Sequence, residues 1–244
     1  MTVYAFMKCG DYKSCSEDTV LVDGKLLKDG YHTSNRTGDC IGLADGVGGN
    51  AGGKEASEYV LYHCMNRYID GSMSSAMHLN DDLIKYAKTI PGKERMATTM
   101  SVILFSPDRG AKIIHVGNTR IYAIQGKYLK QLTKDHTTTE MLKSRGEFEA
   151  AELAPKNEIT ACFGSGDSTL INQLQIFNIE KEYSGYVLTS DGFHDHLDEE
   201  DIEDFCSQGD YSFQAFEDLA EAAREKGSVD DKSIIIIRFD NEDN

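Results

Sequence analysis

The residues with chemistry in them are carboxylates that recur beside apolar runs. Leu43-Ala44-Asp45-Gly46, Leu188-Thr189-Ser190-Asp191-Gly192 and Val229-Asp230-Asp231-Lys232-Ser233 each put an acid at the end or the start of a strand-like segment, and Ser16-Glu17-Asp18 precedes another. An acid at the edge of a buried strand is rigidly placed yet reachable by water. Oxygen-rich, partly open sites of that kind suit Mg²⁺ and Mn²⁺. A glycine after the aspartate, as at Gly46 and Gly192, lets a backbone carbonyl or a water come close to an ion. Asp-Gly is equally a common turn pair, and each aspartate alone reads as well as a turn. Four acids beside four strands favour a shared cation site, though spacing alone does not name a reaction.

Most other carboxylates carry no such information. The chain holds 41 Asp and Glu against 25 Lys and Arg, a net charge of −16, so most acids are solvated surface. That charge repels nucleic acid and anionic lipid, and neither is an expected partner. A length of 244 residues with 40% hydrophobic content fits one domain, residues 1–244, with its own core. The longest apolar run, Ile234–Ile237, is strand-sized, far short of the roughly 18 residues of a membrane span. The N-terminal patch Val3-Tyr4-Ala5-Phe6-Met7 has no leading charge and no cleavage-like site, which points to a cytoplasmic protein. Cys9, Cys15, Cys40, Cys64, Cys162 and Cys206 show no C-x-x-C or zinc spacing and read as reduced thiols.

The elements that must position the acids follow from periodicity. Apolar or β-branched runs predict strands at Thr19–Asp23, Cys40–Ala44, Met100–Phe105, Lys112–Val116, Arg120–Ile124, Tyr186–Thr189 and Ser233–Phe239. The turn Gly117-Asn118-Thr119 reads as the tip of a hairpin. A period of 3.6 residues predicts helices at Lys54–Ile69, Ala76–Lys88 and Ser212–Lys226. Strands grouped together, instead of alternating one-for-one with helices, predict an α+β fold: an α-β-β-α sandwich of two antiparallel sheets flanked by helices.

In order along the chain, these segments resemble the metal-dependent protein phosphatases of the protein phosphatase 2C type, in their bacterial form. Ser16-Glu17-Asp18 resembles the family's Asn-Glu-Asp element, and Asp45-Gly46-Val47-Gly48-Gly49 its D-G-[VMH]-G-G motif. Ala97-Thr98-Thr99 is similar to G-[ST]-T, Val116-Gly117-Asn118-Thr119-Arg120 to V-G-D-S-R, and Leu132-Thr133-Lys134-Asp135-His136-Thr137 to L-T-x-D-H-[ST]. Ser190-Asp191-Gly192 matches S-D-G, and Gly227–Ser233 matches G-S-x-D-N-x-[ST].

The resemblance implies a phosphatase acting on phosphoserine and phosphothreonine in proteins, opposing a Ser/Thr kinase and working as a monomer. It implies two ions, Mn²⁺ or Mg²⁺, and a water between them attacking phosphorus in line. Asp45 would bridge the ions, the Gly46 carbonyl would bind one, and Asp191 and Asp230 the other. Glu17 and Asp18 would orient water. Lys13 stands near the place of a phosphate-binding arginine, and keeps the charge without the planar fork. Asn118 and Asp195 fall at a third, weaker ion site, where Asn118 replaces an aspartate. Val47 replaces a histidine that some members use to protonate the leaving alcohol. His194 and His196 stand open as proton donors or as packing residues, and His136 as a loop support. The segment from Thr138 to Thr160, with Lys143 and Arg145, corresponds to a flap beside the site. The alternatives are a pseudophosphatase that binds phosphoproteins without turnover and a hydrolase of small phosphorylated metabolites.

Overall fold

The computed structural model describes residues 1–35, 39–47, 51–106, 110–166, 173–179 and 183–239. Gly48 and Gly49 lie outside the described residues. Two six-stranded antiparallel sheets stack face to face. The first has the order β4-β1-β12-β11-β8-β9, from β1 (Thr2–Lys8), β4 (Gly30–Ser34), β8 (Arg120–Gln125), β9 (Tyr128–Gln131), β11 (Gly185–Thr189) and β12 (Lys232–Arg238). The second has the order β10-β7-β6-β5-β2-β3, from β2 (Thr19–Val22), β3 (Lys25–Leu27), β5 (Cys40–Ala44), β6 (Met100–Phe105), β7 (Ala111–Val116) and β10 (Gln175–Ile179).

The run Ile234–Ile237 shows how the layers are cemented. Successive side chains on a strand point to opposite faces. Ile235 and Ile237 therefore meet Val20, Leu43 and Ile103 between the sheets. Ile234 and Ile236 meet Phe205, Phe216 and Leu219 of the outer helices α6 (Glu199–Gln208) and α7 (Phe213–Glu225). On the far side, α1 (Gly53–Met65) and α2 (Met73–Ala87) lay Val60, Leu61, Leu79 and Leu83 on Ala44, Met100 and Val102. The result is the α-β-β-α sandwich, completed by α3 (Thr138–Ser144), α4 (Phe148–Leu153) and the one-turn helix α5 (Asp191–His194).

The structure changes four sequence readings. The N-terminal apolar patch is β1, paired with both β4 and β12. Helix α1 stops at Met65 instead of Ile69, because Arg67 adopts a left-handed φ of 57°. Helix α2 begins at Met73 instead of Ala76, where the Ser72 hydroxyl accepts from Ser75 N and caps it. The turn Gly117-Asn118-Thr119 is also no hairpin tip: β7 pairs with β6 and β10, whereas β8 pairs with β11 and β9. The turn carries the chain from one sheet to the other, which a local sequence pattern cannot distinguish from a hairpin.

Candidate active site

Antiparallel pairing gathers the acids at one end of the sandwich. In the second sheet Thr19 pairs with Ala44, so Asp18 and Asp45 emerge side by side. In the first sheet Thr189 pairs with Ile234, so Asp191 follows β11 just where Asp230 and Asp231 precede β12. The sheet-crossing turn brings Asn118 to the same place, its side-chain amide donating to Asp191 Oδ2 at 3.0 Å.

Short polar residues fix the backbone at each acid. Asp45 N donates to Thr99 Oγ1 at 2.9 Å, and Asp45 O accepts from Thr99 N at 2.8 Å and Thr98 Oγ1 at 2.9 Å. This is the structural use of the Thr98-Thr99 element. Gly46 N donates to Glu17 O at 3.2 Å. A Cβ on Gly46 would stand 2.4 Å from the Gly53 carbonyl carbon, so glycine is needed for α1 to start against this loop. On the other sheet Ser190 N donates to Ser233 O, and Ser233 N donates to Ser190 Oγ, both at 3.0 Å.

The carboxylates form a wall whose charges repel. Asp45 stands beside Asp18, which precedes the neighbouring strand, and feels the charges of Asp191 and Asp230. Burial, then repulsion from Asp18, Asp191 and Asp230, pushes the Asp45 carboxyl far above the usual range. Asp18 is raised by burial and by Asp231 and Asp191, against a 2.6 Å hydrogen bond from Ser233 Oγ. Asp191 is raised by burial and by Asp230 and Asp195, against the Asn118 donation.

The other expected residues fall around this wall. Glu17 is partly exposed at its rim, and its N–H donates to Asp231 Oδ2 at 2.8 Å. Lys13 Nζ donates to Asp230 Oδ1 at 2.6 Å and Asp231 Oδ2 at 2.9 Å, and these carboxylates hold its pKa above the ordinary lysine value despite burial. Asp195 closes the one-turn helix that begins at Asp191 and shares a cleft with Arg120 and Lys156. The cleft, of about 200 Å³, has Asn118, His194 and Asp195 on one wall and Thr139, Lys143 and Lys156 of the flap on the other. Arg120 is engaged by Asp135 through three N–H···O bonds of 2.6–3.1 Å. His194 is buried, its Nδ1 is 2.7 Å from Thr189 Oγ1, and burial holds its pKa well below the ordinary value. An imidazole held neutral has no proton to give near neutral pH. His196 shares a 3.3 Å contact with Lys226 O. His136 Nδ1 accepts from Gly117 N at 2.9 Å and supports the crossing turn.

Asp231 is the site residue that motif reading passes over. It is 2% exposed and accepts from Gly10 N and Glu17 N, each at 2.8 Å, as well as from Lys13. A carboxylate where the motif carries asparagine was the available signal.

Among the described residues, no three His, Cys, Asp or Glu side chains close on one point as an ion cage. The donor set nonetheless fits hard cations. It is all oxygen, and ions of this kind keep several waters and take only one or two carboxylates each. Asp18 Oδ1 and Asn118 Oδ1 are buried without a hydrogen-bond partner, and such acceptors are rare unless something binds them.

The fold and the family of the chain can be set beside known proteins. The protein phosphatase 2C family profile matches residues 18–230. Protein phosphatase PhpP of Streptococcus pneumoniae is 28% identical over 227 residues, covering 87% of this chain and 91% of that protein. The serine/threonine protein phosphatase PstP of Mycobacterium tuberculosis is 26% identical over 93% of this chain, which spans 43% of PstP. In fold, the chain matches serine/threonine phosphatase Stp1 of Staphylococcus aureus with a TM-score of 0.80 at 22% identity, over 98% of this chain and 95% of Stp1. It matches the PstP catalytic domain in complex with two manganese ions with a TM-score of 0.74 at 23% identity, over 98% and 99% of the two chains. The chain belongs to the protein phosphatase 2C family and is a protein serine/threonine phosphatase.

Proposed function

We propose that the chain removes phosphate from phosphoserine and phosphothreonine with two divalent cations, Mn²⁺ or Mg²⁺, held by Asp45, the Gly46 carbonyl, Asp191 and Asp230. The observation that carries this reading is the convergence of Asp45 with the buried Asp18 and Asp191, whose charges repel it. Such acids cannot all ionise together without cations between them. Bound there, the cations would supply Lewis acidity, offsetting the charge of the phosphate dianion and making a water acidic enough to be a nucleophile near pH 7.

The chain's own groups do the positioning. Asp18, held through Oδ2 by Ser233, keeps its Oδ1 unpartnered and with Glu17 orients water. Val47 has no transferable proton and burial holds His194 neutral, so water or another group protonates the leaving alcohol. The third ion site is weak or absent, because Asn118 brings no charge and Asp195 already faces Arg120 and Lys156. The cleft beside the flap receives the phosphoprotein, with Lys143 and Lys156 as its cations. We further propose that residues 1–244 act as one catalytic unit, monomeric and cytoplasmic, opposing a Ser/Thr kinase. Among the described residues, no helix is long and apolar enough to cross a membrane.

The test is turnover of a phosphothreonine peptide with Mn²⁺, with EDTA, and against sugar phosphates. Peptide hydrolysis that EDTA abolishes is expected. Binding without turnover would favour the pseudophosphatase reading, and preference for sugar phosphates the small-molecule reading.

A further inference from the structure

Lys13 and Asp231 touch, and their contacts define what Lys13 can do. A lysine ammonium has three N–H donors. Lys13 Nζ faces Asp230 Oδ1 at 2.6 Å, Asp231 Oδ2 at 2.9 Å and Glu17 Oε2 at 3.4 Å. Asp230 and Asp231 take two of these donors, and the Glu17 carboxylate stands beside the third, so acids surround the ammonium on three sides. Asp231 is equally committed. Its Oδ1 accepts from Gly10 N, and its Oδ2 accepts from both Glu17 N and Lys13 Nζ. Gly10 and Glu17 bracket the segment that carries Lys13, so one buried carboxylate pins both ends of that segment. The seat is tight. Asp11 N donates to Val229 O at 3.0 Å, and a Cβ on Gly10 would stand 2.6 Å from Val229 O.

Both residues depart from the motifs the chain otherwise follows, a lysine near the place of an arginine and an aspartate for an asparagine. A neutral amide at 231 needs no counter-ion, whereas a carboxylate that is 2% exposed beside Asp18 and Asp230 does. A compact ammonium satisfies acids that converge from three directions better than a planar guanidinium fork.

We propose that Lys13 is the counter-ion of Asp231, and that the pair is a positioning device that holds the Gly10–Glu17 segment, and with it Glu17, against the start of β12. Lys13 is then no phosphate ligand. Only the kinetic arm of the test below rests on the phosphatase reading.

The test compares Lys13→Met, Asp231→Asn and the double variant, with Mn²⁺ present. In melting experiments each single change lowers Tm, by several degrees for a buried charge left unpaired. The double variant melts at or above K13M, because D231N removes the charge that Lys13 balanced. In inhibition experiments, removing Lys13 from the D231N background changes the Ki of inorganic phosphate by less than about twofold. Tm losses that simply add overturn the proposal. So does a rise of about tenfold in phosphate Ki on losing Lys13 in both backgrounds, which would make Lys13 a phosphate ligand. Should the parent protein turn over no phosphopeptide, the catalytic reading fails, and the melting comparison still decides this one.

Discussion

Asn118 reaches across from the crossing turn to donate its side-chain N–H to Asp191 Oδ2 at 3.0 Å, joining the β7–β8 connection to the first turn of α5. This donation favours the ionised form of Asp191, which burial, Asp230 and Asp195 oppose. Asn118→Asp removes the donor and adds a charge beside Asp191, in the cleft that Asp195 also lines. The chelated variant is expected to melt below the parent, and calorimetric titration with Mn²⁺ to rise from two bound ions to three. An unchanged stoichiometry would show that Asn118 does not limit a third site.

Asp191→Ala and Asp230→Ala are expected to lower peptide turnover by about a thousandfold or more, since each removes charge from the place where the reaction needs it. Neither side chain belongs to the apolar clusters, so far-UV dichroism and the cooperativity of melting should match the parent. Near-normal turnover in either variant would remove that residue from the catalytic centre.

The acids and most of the strands that carry them were legible in the sequence because both are local signals, an apolar run and a charged residue at its edge. The relation between the elements was not. Gly117-Asn118-Thr119 has hairpin chemistry, yet β7 and β8 enter different sheets, a choice made by partners as distant as β10 and β11. Strand β1 was hidden because a short apolar stretch at the N-terminus lacks flanking turn signals, and its place is set by β12 at the other end of the chain. Lys13 was visible as a cation near Glu17. Its engagement by Asp230 and Asp231 spans more than 200 positions, so no spacing rule expresses it. The small helices α3 and α4 escaped because a segment of 7 and one of 6 residues are too short to show a helical period.

The chelated protein should lose stability as pH rises from about 4 to 7. Burial and neighbouring acids push Asp18 and Asp191 up to about 7, from an unfolded value near 3.9. A raised carboxyl contributes stability that is complete below its unfolded pKa and lost as pH rises through the folded one. Midpoints of denaturation in EDTA should therefore fall as pH rises from about 4 to 7 and level off above about 8. His115, whose pKa burial and His136 push down to about 3, acts in the opposite sense. Its unfolded imidazole gains a proton below about pH 6.5, which offsets about one of the two carboxyls over the same range. Asp191→Asn removes one carboxyl and should flatten the fall between about pH 4 and 7. A fall over that range no steeper in the parent than in Asp191→Asn would contradict the buried repulsion described for the wall.

Gly192 offers a test of how closely the two halves of the site must approach. A Cβ there would stand 1.9 Å from Asp231 O, a backbone atom that no rotamer change can move aside. The Ser228 hydroxyl donates to Gly192 O at 2.7 Å, tying the same peptide from the other side. Gly192→Ala must therefore push α5 and the Asp230–Asp231 turn apart, and overpacking of this kind costs about 1–3 kcal/mol. Gly166→Ala is the control, since a Cβ there meets nothing within 4 Å. The control should melt with the parent, whereas Gly192→Ala should melt several degrees lower and lose turnover beyond its loss of stability. The extra loss is expected because the shift moves Asp191 and Asp230 relative to each other, and Asp231 relative to Glu17. If Gly192→Ala kept parental turnover at a temperature where it is fully folded, the spacing of these acids would not set the rate.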